Sequence, residues 1–181
     1  MDEQQEYTLE MSPETVKAAL ASSRSLLTAP SHAEVRGDGP KQTKQWYELF
    51  AVVGTKIGPN KKRPELGQVE VEFVVSPEGD DLTNVGRHHW QYFFVNPKSR
   101  KGDEDWDNNN RNLSNMHNLL RACGMGDRID GYLDANEKVP YQEFFAGERP
   151  MVGLVVRARV REYINRDGEP QQDVSRFWKH E

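Results

Sequence analysis

Met151-Val-Gly-Leu-Val-Val-Arg-Ala-Arg-Val-Arg-Glu-Tyr-Ile164 alternates with the two-residue period of a β-strand. Val152, Leu154, Val156, Ala158 and Val160 fall on one face, and Arg157, Arg159, Arg161 and Tyr163 on the other. The three guanidiniums stand about 6.6 Å apart by strand rise and run into an aromatic ring. That spacing is close to the phosphate repeat of an extended nucleic-acid strand, and a ring offers a base a surface to stack on. An exposed antiparallel strand whose arginines pair with acidic neighbours would read the same way.

The rest of the chain supplies partners for this strand. Trp46–Thr55 alternates Tyr47, Leu49, Ala51 and Val53 against Trp46, Glu48, Phe50 and Val52. Gln68–Val75 places Val69, Val71, Phe73 and Val75 inward, with Gln68, Glu70 and Glu72 outward. His88–Val95 is aromatic on both faces, with His88, Trp90, Tyr92 and Phe94 opposing His89, Gln91, Phe93 and Val95. Gln171–Trp178 returns after Asn165-Arg166-Asp167-Gly168-Glu169-Pro170, a hairpin connection with an Asp-Gly signal. It alternates Val174, Arg176 and Trp178 against Asp173, Ser175 and Phe177.

Leu113, Met116, Leu120 and Cys123 recur at helical spacing, an asparagine run precedes them, and Gly124 stands where a helix stops. Tyr141, Phe144 and Phe145 read as one packed helical turn. Residues 1–11 read as a polar, acidic arm. A short helix then starts at Ser12-Pro13-Glu14 and carries a stripe of Val16, Leu20 and Leu27. A turn-rich segment follows, with one short strand around Ala33–Arg36. Residues 1–40 thus form an acidic N-terminal arm with a short helix, and 41–181 a β domain.

Composition bounds the function. Across 181 residues the net charge is −5, with 35% hydrophobic and 29% charged residues; mean hydropathy is −0.87. Residues 1–14 hold Asp2, Glu3, Glu6, Glu10 and Glu14 with no lysine or arginine, which leaves the remainder formally neutral. A neutral body can carry one basic face. No apolar run reaches transmembrane length, and the single cysteine, Cys123, cannot pair within the chain. A reducing cytoplasm is the expected compartment.

Strand, strand, strand, helix, strand, strand is the order of the OB-fold, a five-stranded Greek-key barrel. The expectation is therefore a mainly β chain: an OB-like barrel with a helix between strands 3 and 4, plus an N-terminal helical extension. The fold's ligand surface lies on strands 2–3 beside the loops joining strands 1–2 and 4–5. The first of those loops reads as Lys56-Ile57-Gly58-Pro59-Asn60-Lys61-Lys62-Arg63-Pro64, with four basic residues and no acid. Its glycine and prolines are expected to leave those charges flexible and exposed.

The stretch from Tyr47 to Trp178 resembles phage-encoded, OB-like single-stranded DNA-binding proteins of recombination and replication modules. The resemblance rests on Gly67-Gln-Val-Glu-Val-Glu-Phe-Val-Val, Gly86-Arg-His-His-Trp-Gln-Tyr-Phe-Phe, Leu119-Leu-Arg-Ala-Cys-Gly and the final Val-Arg-Glu-Tyr…Val-Ser-Arg-Phe hairpin. It implies single-stranded DNA as partner, with replication or recombination proteins alongside and the host cytoplasm as the site of action; a homo-oligomer is a further expectation for the chain. Better-known single-strand binders end in an acidic tail, whereas this sequence ends Phe177-Trp178-Lys179-His180-Glu181.

The candidate site residues are Arg157, Arg159, Arg161 and Tyr163 on the striped strand; Lys56, Lys61, Lys62 and Arg63 in the basic loop; and Trp90 and Tyr92 as stacking surfaces. Trp46 is a further stacking candidate, and Trp178 reads as either a packing lid or a platform. No cofactor is expected, and no Walker loop, nucleophile elbow or dinucleotide fingerprint is present. His88 and His89 point to opposite faces and cannot share one ion. Cys123 reads as a buried thiol. Asp103, Glu104, Asp105 and Asp107 lack calcium-loop spacing. A non-sequence-specific single-strand binder without enzymatic activity is the first expectation. A protein-interaction or structural module comes second, and a metal-dependent nuclease using the acidic loop last.

Overall fold

The computed structural model describes residues 8–22, 42–79 and 81–180. Seven strands lie among them: β1 (Glu10–Met11), β2 (Gln42–Pro59), β3 (Gly67–Val75), β4 (His88–Val95), β5 (Val139–Pro140), β6 (Val155–Ile164) and β7 (Pro170–Lys179). The helices are α1 (Pro13–Ser22), α2 (Trp106–Ala122) and α3 (Gly126–Asp134), with a π-helical turn at Glu143–Gly147. The chain is mainly β, and every strand pair is antiparallel. The five long strands form one sheet in the order β4-β3-β2-β6-β7, and β1 pairs with β5.

β2 is the spine. Its first half pairs with β6 and its second half with β3; only Phe50 and Ala51 have ladder partners on both sides. A bulge between Val52 and Gly54 inserts one extra residue. Before it, Trp46, Glu48, Phe50 and Val52 point inward; beyond it, Thr55 and Ile57 do, opposite Val71 and Val69. The bulge therefore reverses the parity of the strand, and a bulge also increases local twist. The sheet coils until its two ends share a core. Phe177 on β7 stacks on Phe73 of β3, with centroids 5.6 Å apart, and meets Phe93 of β4 at 6.5 Å.

The expected barrel is not closed, because no ladder joins β4 to β7. α2 packs against both of those edge strands. It contributes Leu113, Met116, Leu119 and Leu120, all fully buried. This helix begins seven residues before Leu113, and the asparagine run lies inside its first turns rather than ahead of it. Gly124, at φ +79°, ends it as expected.

Other expectations shift locally. The striped strand starts at Val155, so Val152 and Leu154 lie in an exposed turn and not on the core face. Val156, Ala158 and Val160 are buried, as their alternation requires. In β7, the ladder shifts as it passes Arg176, whose φ is +53°. That irregularity puts Val174 inward with Phe177 and breaks the simple alternation. Asn165 tightens the hairpin, its Oδ1 accepting the N–H of Asp167 and of Glu169 at 2.9 Å. Lys56–Pro59 is strand, not loop, and the connection is Asn60–Leu66. α3 had no counterpart in the expectations. The packed turn at Phe144 and Phe145 is present.

The N-terminal segment is anchored where it is described. Leu9 and Met11 are fully buried, β1 pairs with β5, and Tyr141 N–H donates to Leu9 O at 2.9 Å. Ser12 caps α1, its Oγ accepting Thr15 N–H at 3.3 Å. Ser114 Oγ–H donates to Ala19 O at 2.9 Å and ties α1 to α2. Leu27, the strand expected around Ala33–Arg36 and the acids Asp2, Glu3 and Glu6 lie outside the described residues. Among the described residues, no helix is long and apolar enough to cross a membrane. A merely appended arm would tolerate Leu9→Ala. We expect that substitution to lower the unfolding free energy by about 2–4 kcal/mol, read from urea denaturation.

One buried polar pair crosses the core. His117 of α2 hydrogen-bonds through Nε2 to the hydroxyl of Tyr141, and its Nδ1 has no partner. Burial first, and then Arg121, pull the His117 pKa down to about 3. His89, on the inner face of β4, is lowered to about 4, mainly by burial. Both imidazoles are neutral in the fold, while an unfolded chain protonates them below about pH 6.5. Stability should therefore fall as pH drops from 6.5 toward the folded pKa values. For His117 the loss is on the order of 2 kcal/mol by pH 5. Denaturation at pH 7 and pH 5 should show it, with a smaller loss in His117→Gln, which does not titrate.

Candidate functional site

β4 pairs on one side only, and its outward positions are all rings. His88 stacks on Trp90 at 5.8 Å with 25° between planes, and Tyr92 stacks on Phe94 at 6.4 Å and 12°. Trp90 is 50% exposed, Tyr92 39% and Phe94 38%. The intervening His89, Phe93 and Val95 are buried. Alternation thus gives one strand a core face and an unbroken aromatic face.

Register fixes what lies beside this column. Trp90, Tyr92 and Phe94 sit opposite Glu72, Glu70 and Gln68 on β3, which in turn face Gly54, Lys56 and Gly58 on β2. Lys56 Nζ lies 2.8 Å from Glu70 Oε1, and His88 Nδ1 lies 2.7 Å from Glu72 Oε1, so each acid has a basic neighbour. Burial, and then the nearby Glu70, raise the Tyr92 phenol, which keeps it neutral. Gly58 leaves open space where a side chain would stand. A cleft of about 610 Å³ results, with Tyr92 and Phe94 on one side and Lys61 and Lys62 on the other.

The basic connection is tight. Asn60 Oδ1 accepts the backbone N–H of Lys62 at 2.9 Å and of Arg63 at 3.0 Å, and its Nδ2 donates to Gln68 Oε1 at 3.2 Å. Asn60 N–H also donates to Leu66 O. This local satisfaction of turn donors is what asparagine supplies. The backbone is pinned while the Lys61 and Lys62 side chains stay exposed, without ion pairs among the described residues. Arg63 pairs with Glu65 at 3.0 Å. The flexibility expected of this segment is not what its hydrogen bonds describe.

The arginine stripe lies on the other half of the sheet. Arg161 is gripped by both oxygens of Asp173, each at 3.1 Å, and its guanidinium lies 5.3 Å from the Tyr163 ring centre. Arg159 donates through Nη2 to Ser175 Oγ at 2.9 Å, and its Nε is buried without a partner. Burial, and then Arg176, lower its pKa. Arg157 faces Trp178 across the ladder and makes no ion pair among the described residues. Trp178 is a packed residue, 7% exposed, in edge contact with Tyr47 at 5.5 Å. Trp46 is also buried.

The candidates therefore separate. Lys56, Lys61, Lys62, Arg63, Trp90 and Tyr92 gather around or beside one cleft, whereas Arg157, Arg159, Arg161 and Tyr163 stand on β6. Phe94, Asn60 and Gln68 join the cleft and were missed. Phe94 continues the alternation of Trp90 and Tyr92, but the pattern cannot tell which aromatic face meets solvent. Elsewhere, His88 and His89 occupy opposite faces, and burial pushes the Cys123 thiol up to about 12. Asp105 accepts from Asn96 Nδ2 at 2.7 Å and Ser99 Oγ at 2.8 Å, and Asp103 accepts from Arg100 N–H at 2.7 Å. These acids hold the loop that contains them. No group of three metal-ligating side chains forms among the described residues.

No family model matches the sequence, and no curated protein matches it.

Trp90 is the most exposed of the four tryptophans. Acrylamide should quench wild-type fluorescence markedly more than that of Trp90→Phe, whereas Trp178→Phe should leave the quenchable fraction intact.

Proposed function

We propose that this protein binds single-stranded DNA without strong sequence preference, by stacking bases on β4 and neutralising phosphates with the Asn60–Leu66 connection. The observation that carries this reading is the exposed column Trp90, Tyr92 and Phe94, of which Tyr92 and Phe94 line a cleft together with Lys61 and Lys62. Exposed rings in a row cost solvation and offer what unpaired bases need, a series of apolar faces near strand spacing. Two lysines without carboxylate partners among the described residues supply the counterion-releasing charge.

The strand order supports the same reading. The order β4-β3-β2-β6-β7 is compatible with an OB-like arrangement in which no ladder joins the first and last strands of the sheet. In that frame the column lies on the third strand, beside the connection of the first two, where OB-folds hold oligonucleotides. On the sequence resemblance, the setting is phage-type replication or recombination. Arg157, Arg159 and Arg161 become a secondary contact, since Asp173 already holds Arg161.

A second reading draws on the backbone edge of β4. No strand ladder lies on that edge, although Asn112 of α2 accepts the Phe94 N–H at its far end; the part beside Trp90 and Tyr92 also suits an extended peptide added as a further strand, which would make this a protein-interaction module. Anisotropy of labelled oligo-dT, titrated at low and high salt against duplex competitor, separates the two. The single-strand reading expects salt-sensitive binding that duplex fails to compete. Trp90→Ala should weaken it by about 1–3 kcal/mol. Lys61→Ala with Lys62→Ala should flatten the salt dependence by roughly 0.7 per lost contact. Arg157→Ala with Arg159→Ala should weaken binding to every sequence alike, and by less. Absence of binding at low salt would leave the peptide reading standing.

A further inference from the structure

Beyond Phe94 the cleft continues into a second pocket of about 380 Å³, which shares Asn60, Lys62 and Phe94 with the first. Its size is near the lower end of small-ligand sites, about 300–1,000 Å³. Leu66 and the Phe94 ring give it apolar walls, and the first turns of α2 give it amides. Most of those amides are committed. Asn109 bonds the Asn96 backbone through both ends of its side chain, and Asn112 accepts from Phe94 N–H and donates to Asn108 O. On the α2 side of the pocket, two groups remain available among the described residues. The Asn108 side chain makes no hydrogen bond among the described residues. Asp105 spends one lone pair of each carboxylate oxygen on Asn96 and Ser99, which leaves the others.

An aromatic wall, a free amide and an oriented carboxylate form the chemistry that reads a nucleobase edge. Resting on the single-strand reading, we infer that this pocket takes one unpaired base and favours those bearing an exocyclic amino group over thymine. The direction follows from Asp105. A carboxylate only accepts, so it is served by the amino N–H of cytosine, adenine or guanine and repelled by the carbonyls that flank the thymine edge. Asn108 supplies a second contact and, being an amide, adapts to donor or acceptor. Asn96 and Ser99 hold the carboxylate in place, and the same two hydrogen bonds, ahead of other causes, lower its pKa and keep it ionised. Lys62 and Arg63 line the same pocket, where they can meet the phosphates on either side of a seated base. The protein would then bind any strand but settle in a preferred register.

The test is anisotropy competition between oligo-dT and oligo-dT carrying one central cytosine or adenine. One such base is enough, because the strand can slide to seat it. We expect the substituted strands to bind about fivefold or more tightly. Asp105→Asn, which gains donors, should abolish the preference, and Asn108→Leu should reduce it. Asn108 is a solvent-facing helix position, so N108L remains informative even where D105N disturbs the loop. Equal affinity for all strands, or a preference undiminished in both variants, would overturn base reading while leaving single-strand binding intact. Failure to bind any oligonucleotide would overturn both.

Discussion

One strand makes two half-sheets into one molecule. β2 gives its first half to β6 and its second to β3, and the bulge at Val52–Gly54 is the joint between them. Without the extra residue, parity would carry Gly54, Lys56 and Gly58 into the core and turn Thr55 and Ile57 outward. Thr55 instead reaches Phe145 O at 2.9 Å and fastens the π-helical turn to the inner face. The glycines and lysine then line the outer surface beside the aromatic column. A single-residue irregularity therefore decides both what fills the core and what floors the cleft.

The consequence for β4 is that it has a neighbour on one side only. A central strand with rings on both faces would need protein layers above and below. As an edge strand of an open sheet, β4 buries Phe93 and Val95 against the core, and its other ring face meets water. The rings offset part of that exposure by stacking on one another in two pairs. Edge strands with apolar faces invite association. Glu70 and Glu72 lie immediately beside the rings, together with Lys56, and set charge against this edge while the outward surfaces of the rings stay exposed.

Alternation made most of this architecture legible. Val69, Val71, Phe73 and Val75 were separable from Gln68, Glu70 and Glu72 because glutamate and valine differ so sharply in burial cost. α2 was legible from Leu113, Met116 and Leu120, and its end from Gly124. What escaped shared one physical origin: a local irregularity changes parity without changing composition. The bulges at Val53 and Arg176 each reversed a face that the sequence presents as regular. Lys56–Pro59 looked like loop because glycine and proline break most strands, yet Gly58 and Pro59 sit at the end of β2, where the ladder tolerates them. Leu9 and Met11 were hidden among acids, and only long-range pairing with Val139–Pro140 shows that they are core.

The arginine stripe drew attention for a reason that turns out to be partly structural. Three arginines on one strand need either an anionic ligand or anionic neighbours, and β7 delivers Asp173 to Arg161 and the Ser175 hydroxyl to Arg159. A cation so paired has less free energy left to offer a phosphate, because binding must first give up a satisfied interaction. Among the described residues, Lys61 and Lys62 face no such competition. Regularity of charge along a strand is thus a weaker indicator of a ligand than charge left without a partner, and in this molecule the lysines that no described residue pairs with stand where the exposed rings are.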